Sequence, residues 1–325
     1  MQWPLIRLGS LERAKSGLVS LLAIGIWATL AHPAAAGQSP ATPAPPGGVA
    51  LGHETASPPD PRLAETEVRL RASLERTPES ADALYELALV LRRENKARES
   101  LETYTRAARI RKPVARELHS VALDYVLLDD YDDAVRWLRV ALAMEPDNPE
   151  VLYSLGRCLY TRNLFADAEK VYLRLLALDP AHLKGEENLG LTYDAENDPG
   201  KAEKALRTAA VWAKERGLED PWPYLDLGIF LLDQARAGEA QPFLERAVEL
   251  DPESAWAHQK LGMALVANGD SPRGIRELEA AVALAPDDPK VHYELGRAYR
   301  GAGRQDKARA ELELSQSLYR EHSQN

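Results

Sequence analysis

Residues Ala115 to Asn148, ARELHSVALDYVLLDDYDDAVRWLRVALAMEPDN, form a unit that returns in altered form to the end of the chain. Within it Val121 and Ala122 are followed by Tyr125, then by Ala134, Leu138, Ala141 and Pro146. Thirty-four residues on, the same chemistry reads Leu155, Gly156, Leu159, Ala168, Tyr172, Leu175 and Pro180. A large apolar residue beside a small one, then a second such pair, predicts two short helices whose backbones approach closely at the small residues. One helix pair is not stable alone. Ordering its backbone costs ~1–2 kcal/mol per residue, more than the apolar area of a single pair offsets. The unit must stack on copies of itself.

Seven copies fit in register, over 81–114, 115–148, 149–182, 183–220, 221–254, 255–288 and 289–322. The eighth position of each is small: Ala88, Ala122, Gly156, Gly190, Gly228, Gly262 and Gly296. So is the twentieth: Ser100, Ala134, Ala168, Ala202, Ala240, Gly274 and Ala308. Helix-capping residues precede most copies (Ser80, Asn148, Asp220, Ser254, Asp288), with Val114 and His182 the weak ones. Pro149, Pro221 and Pro289 then suit a first helical position. Position fifteen holds Asn95, Asp129, Asn163, Asn197, Gly269 and Gly303, residues that tolerate the left-handed conformation ending a helix; Ala235 departs from this. The fourth copy carries four extra residues after Ala209, about one helical turn, which predicts a longer second helix ended by Gly217.

This pattern resembles the tetratricopeptide repeat family, over about Ala81 to His322. Its signature is a large–Leu–Gly–Tyr run, then alanine, an aromatic, alanine and proline. Lys112 stands where the closing proline belongs, and Leu175, Ser315 and Gly274 are further local departures. The resemblance implies an all-α, right-handed solenoid of antiparallel helix pairs, with a concave face lined by the first helix of each pair.

The N-terminal segment is of another kind. Arg7, Arg13 and Lys15 precede an apolar run from Gly17 to Ala31 and the small-residue exit Ala34–Ala36, so residues 1–36 read as a secretory signal peptide. The run is shorter than the ~20 residues that span a bilayer, which favours cleavage over anchoring. The product is exported, periplasmic or extracellular, with no membrane span. Residues 37–60 are a Pro/Ala/Gly-rich linker. Residues 61–78, with Leu63, Leu70 and Leu74 at helical spacing, read as a capping helix equivalent to half a repeat.

The chain is acidic, with a formal charge of −10, which argues against nucleic acid as a partner. No histidine stands at metal-ligand spacing from another or near a Cys/Asp cluster, so neither a metal nor a cofactor is expected. Cys158, the one cysteine, reads as a small core residue. Phosphate loops and nucleophile elbows are absent from the sequence, and the repeats use the folded length. The chain is therefore read as non-enzymatic.

What remains is surface. Positions two, five, nine and twelve of each first helix share a face. The residues singled out there are Tyr85, Leu89, His119, Leu123, Tyr153, Arg157, Tyr160, Trp222, Ile229, Leu232, Trp256, Met263, Arg297 and Arg300. By the resemblance this face lines the groove. The fifth and sixth copies are the most apolar, with Trp222 and Trp256 in equivalent places. Two readings stay open: an exposed binding patch, or side chains that meet between copies as core. Family members that clamp a terminal carboxylate use Lys and Asn at positions five and nine; Tyr85 and Leu89, His119 and Leu123, and Tyr153 and Arg157 do not match. Arg157, Arg297 and Arg300 are the candidate anion contacts. The expected function is an exported scaffold holding an extended peptide or partner helix, a protein–protein interaction. The alternatives are an assembly subunit of an envelope complex, or a substrate-recruiting partner of a separately encoded enzyme.

Overall fold

Fifteen α-helices and no strand make up the described part, residues 61–323, of a computed structural model. The signal and linker readings fall outside the described residues. The fold is all-α and built of successive helix pairs. By its contacts the chain divides into two units, residues 1–151 and 152–325.

In the first unit the helices are α1 (Pro61–Arg76), α2 (Ala81–Arg93), α3 (Ala97–Ile110), α4 (Ala115–Leu127) and α5 (Tyr131–Met144). Each packs on the next in sequence, and α2 also meets α4. Their buried stripes come from the repeating positions: Leu84, Leu87, Ala88 and Leu91 of α2 face Leu101, Tyr104 and Ala107 of the same copy. Leu70 and Leu74 of α1 are buried, and α1 packs on α2. Two ion pairs fasten it, Glu67 accepting from Lys96 at 2.8 Å and Arg71 donating to Glu99 of α3. The Lys96 bond leads in holding the Glu67 carboxyl down at about 2.

The second unit begins within α6 (Pro149–Thr161). It continues with α7 (Phe165–Leu178), α8 (Leu183–Ala195), α9 (Pro199–Glu215), α10 (Trp222–Asp233), α11 (Ala237–Leu250) and α12 (Ala255–Ala267). The last three are α13 (Ser271–Leu284), α14 (Pro289–Gly301) and α15 (Gln305–His322). From α7 onward each packs on the next, while the first helices α8, α10, α12 and α14 also touch in succession. The extra residues of the fourth copy do lengthen its second helix: α9 has 17 residues, where α7, α11 and α13 have 14. Gly217, at φ 61°, ends that extension.

Most caps follow the sequence, Val114 being weak as expected, but α10 starts at Trp222 with Pro221 as its N-cap, so Asp220 is not the cap and Pro221 is not the first helical residue. Ser80, Ser254 and Asp288 accept backbone N–H bonds at the starts of α2, α12 and α14. His182 is a better cap than its residue type suggests, its Nδ1 accepting from the Gly185 N–H at 2.9 Å. Val114 has no cap acceptor; instead Glu117 Oε2 accepts from the Val114 N–H at 2.8 Å.

All seven position-fifteen residues have positive φ, including Ala235 at 58°. The turn geometry is set by the packing of the two helices and does not yield to the residue. Alanine pays for that left-handed backbone with ~1–2 kcal/mol of strain. Ala235→Gly is therefore expected to stabilise the second unit by about 0.5–1 kcal/mol, less than the full strain because glycine loses more entropy on folding. A urea midpoint that falls would reject this account.

Candidate functional site

The first helices carry the residues proposed to line a groove, and packing sorts them into two groups. Tyr85, Tyr160 and Ile229 are core, at 5, 8 and 9% exposed, which removes them from the set offered to a ligand. Tyr85 donates its hydroxyl to the Arg111 carbonyl at 2.7 Å, and its ring lies 5.9 Å from that of Tyr104. Burial pushes its phenol up to about 12. Tyr160 packs edge-on against Phe165 at 5.3 Å. Tyr85 thus bridges α2 to α3, and Tyr160 bridges α6 to α7.

Others remain accessible. Leu89, His119 and Leu123 in the first unit are half-buried. Burial depresses the basicity of His119. In the second unit Tyr153, Arg157, Leu232, Trp256 and Met263 are half-buried, while Trp222, Arg297 and Arg300 are exposed. Trp222 and Trp256 stand with ring centroids 5.8 Å apart, tilted by 55°. The rings meet between copies, and Trp222 keeps 36% of its surface in solvent. The candidate anion contacts differ in readiness. Arg157 lies 5.5 Å over the Tyr153 ring, and Arg297 pairs with Glu294 at 3.2 Å. Arg300 lines a cleft of about 600 Å³ with Tyr293, Leu312 and Tyr319.

Models of the tetratricopeptide repeat match residues 67–115, 126–185, 223–254 and 260–321, well over half of the 325 residues. The chain belongs to the tetratricopeptide repeat family. No curated protein matches this tetratricopeptide chain in sequence. Among solved structures it is similar to a tetratricopeptide repeat protein from Parabacteroides merdae, at 17% identity and TM-score 0.58, over 78% of this chain and 92% of that one. It is also similar to the Cut9–Hcn1 hetero-tetramer of the APC/C, at 16% identity and TM-score 0.60, over 79% of this chain and 50% of that one. Yeast Tom70 matches at 18% identity and TM-score 0.56, over 79% and 55% of the two chains. At these identities the likeness is one of fold.

Two polar networks in this repeat chain escaped the sequence reading. In the second unit Lys184 pairs with Asp220 at 2.7 Å and Glu187 at 3.2 Å. Glu187 and Asp226 are both buried, and their carboxyls are hydrogen-bonded to each other. Desolvation first, then the neighbouring Glu187 charge, raises Asp226 well above the carboxylate range, so Asp226 donates and Glu187 accepts. In the first unit the Ser100 hydroxyl lies 2.8 Å from the Ala88 carbonyl and 2.7 Å from Asp124 Oδ2. A hydroxyl has one hydrogen, so both contacts are satisfied together when Asp124 is protonated and donates. Burial pushes Asp124 up to about 7. A carboxyl at positions six and ten of a first helix is the signal that could have flagged both. Cys158 is buried, and desolvation lifts its thiol to about 12, as suits a core residue. Among the described residues no helix is long and apolar enough to cross a membrane.

Proposed function

We propose that this chain is an exported scaffold without enzymatic activity of its own, which holds an extended peptide or a partner helix against its first helices. The coarser part, a protein–protein interaction scaffold, rests on family membership and on helix pairs that use the whole described length. The observation that carries the finer reading is the tilted Trp222–Trp256 pair, partly in solvent on adjacent first helices. Leaving a large ring partly hydrated forgoes apolar burial, and rigid aromatic anchors dominate protein interfaces. Export rests on the basic head, apolar run and Ala34–Ala36 exit.

The partner is to be captured by crosslinking in envelope extract and identified by mass spectrometry, and its affinity then measured by calorimetry. Trp222→Ala is expected to weaken binding at least about tenfold, the loss of a modest hot spot, with the thermal midpoint nearly unchanged. A large fall in midpoint with binding intact would return Trp222 to a structural role. A mature N-terminus near Gly37 is expected on the purified native protein; an intact Met1 on cytoplasmic material would reject export.

A further inference from the structure

The two rings of the Trp222–Trp256 pair are held by different means. Trp256 is the second residue of α12, and the Ser254 hydroxyl caps that helix by accepting from the Ala257 N–H at 3.2 Å. Trp222 is the first residue of α10, where Pro221 stands as N-cap and offers no side-chain acceptor. Pro221 and Pro223 carry no N–H, so the Trp222 N–H is the first donor of α10 that needs a partner. The partner comes from the preceding loop: Asp220 Oδ1 accepts from the Trp222 N–H at 3.1 Å.

Asp220 is itself held by the copy before. Its Oδ2 lies 2.7 Å from Lys184 Nζ, at the start of α8, and Glu187 Oε2 lies 3.2 Å from the same nitrogen. Burial alone would lower the Lys184 ammonium, but the Glu187 and Asp220 carboxyls outweigh it and raise it. The lysine is therefore charged and bound on both sides. A chain of contacts runs from Glu187 and Lys184 on α8, through Asp220, to the backbone of the residue that carries the exposed ring. One copy on, the residue that matches Asp220 is Ser254, which caps α12 unaided.

We propose that Lys184 is a positioning residue for the tryptophan pair: through Asp220 it fixes the first turn of α10, and so the angle at which the Trp222 ring meets Trp256 and solvent. Its bearing on binding rests on the reading of that pair as the partner's anchor. An aromatic anchor works by presenting a rigid ring; a first turn free to fray would have to be ordered on binding, which lowers affinity. Trp256 is thus oriented by its own helix, and Trp222 by the fourth copy.

The test is made on the free full chain and needs no partner. Two indoles with centroids 5.8 Å apart and planes tilted by 55° couple excitonically, which gives paired bands of opposite sign in far-ultraviolet circular dichroism. Subtracting the spectrum of Trp222→Phe isolates these bands. Asp220→Ala and Lys184→Met are expected to lose most of the paired signal, while Lys184→Arg, which still donates to Asp220, keeps it. The thermal midpoint of Asp220→Ala is expected to stay close to that of the natural chain, because a partly exposed ion pair adds little to global stability. Paired bands retained in both Asp220→Ala and Lys184→Met would overturn the proposal, and so would their loss in Lys184→Arg. If Lys184→Met fails to fold, with Glu187 left buried without its cation, Asp220→Ala is read alone against the same criterion. Affinity unchanged in Trp222→Ala would sink the anchor reading separately, while the circular dichroism still decides whether Lys184 orients the ring.

Discussion

Gly262→Leu is expected to destabilise the second unit by about 3 kcal/mol, the upper end of typical overpacking costs, or more. A Cβ at Gly262 would sit 2.6 Å from Leu278 Cγ and 2.9 Å from the carbonyl oxygen of Gly274. The leucine tip can swing aside, but the carbonyl belongs to the backbone of α13 and cannot move without shifting the helix. The approach is mutual, since a Cβ at Gly274 would meet the Gly262 carbonyl at 2.8 Å and the Val266 nitrogen at 3.0 Å. Gly228 offers a contrast: there the obstacle is the side chain of Leu244, at 2.5 Å. Gly228→Ala should accordingly cost less than Gly262→Ala. Because each copy leans on its neighbours, damage at Gly262 should open α12–α15 before the rest of that unit. Urea unfolding followed by local hydrogen exchange checks this. One transition with protection lost evenly across α8–α15 would contradict it.

The second large effect is on pH. Asp124 sits wholly buried in α4, is pushed up to about 7 by desolvation, and satisfies Ser100 only as the neutral acid. Its folded value lies above the unfolded one, so between about pH 4 and 7 the native state holds a proton that the unfolded chain has released. Stability of the first unit from this group therefore falls as pH rises through that window, by up to about 1.4 kcal/mol per pH unit, and levels off above it. Asp124→Asn keeps the shape and supplies a permanent N–H donor to the Ser100 oxygen. The variant should be the more stable protein at about pH 8, by roughly 2–4 kcal/mol, and should lose most of the advantage near pH 4. Exchange protection of α2–α5, followed against pH, isolates this effect from Asp226 in the second unit. A wild-type first unit that gains stability relative to Asp124→Asn from pH 4 to 7 would mean that Asp124 is ionised.

Much of the architecture was legible from spacing alone, for a physical reason. Helix period, a small residue at each close approach and a left-handed turn residue are local demands, so they recur at fixed offsets. Ala235 shows how far that goes: the turn it occupies was placed by its neighbours in register, and the structure imposes φ 58° on a residue that resists it. The longer α9 was likewise written in a four-residue excess.

The site was another matter. Tyr85, Tyr160 and Ile229 share face positions with Leu89, Arg157 and Trp222, yet the first three are core and the others meet solvent to differing degrees. A first helix packs on its own partner and on the copies either side, so exposure depends on the size of side chains across several contacts rather than on the period. The polar contacts were equally invisible, because their partners lie 19 residues apart for His292 and Glu311 and 24 for Ser100 and Asp124. By itself the sequence determined the repeat, its register and its turns, since these follow from each segment's own backbone and nearest small residues. Only the tertiary structure decided which rings face water and where protons are held, since burial and hydrogen bonding are properties of what neighbouring helices bring to the same point.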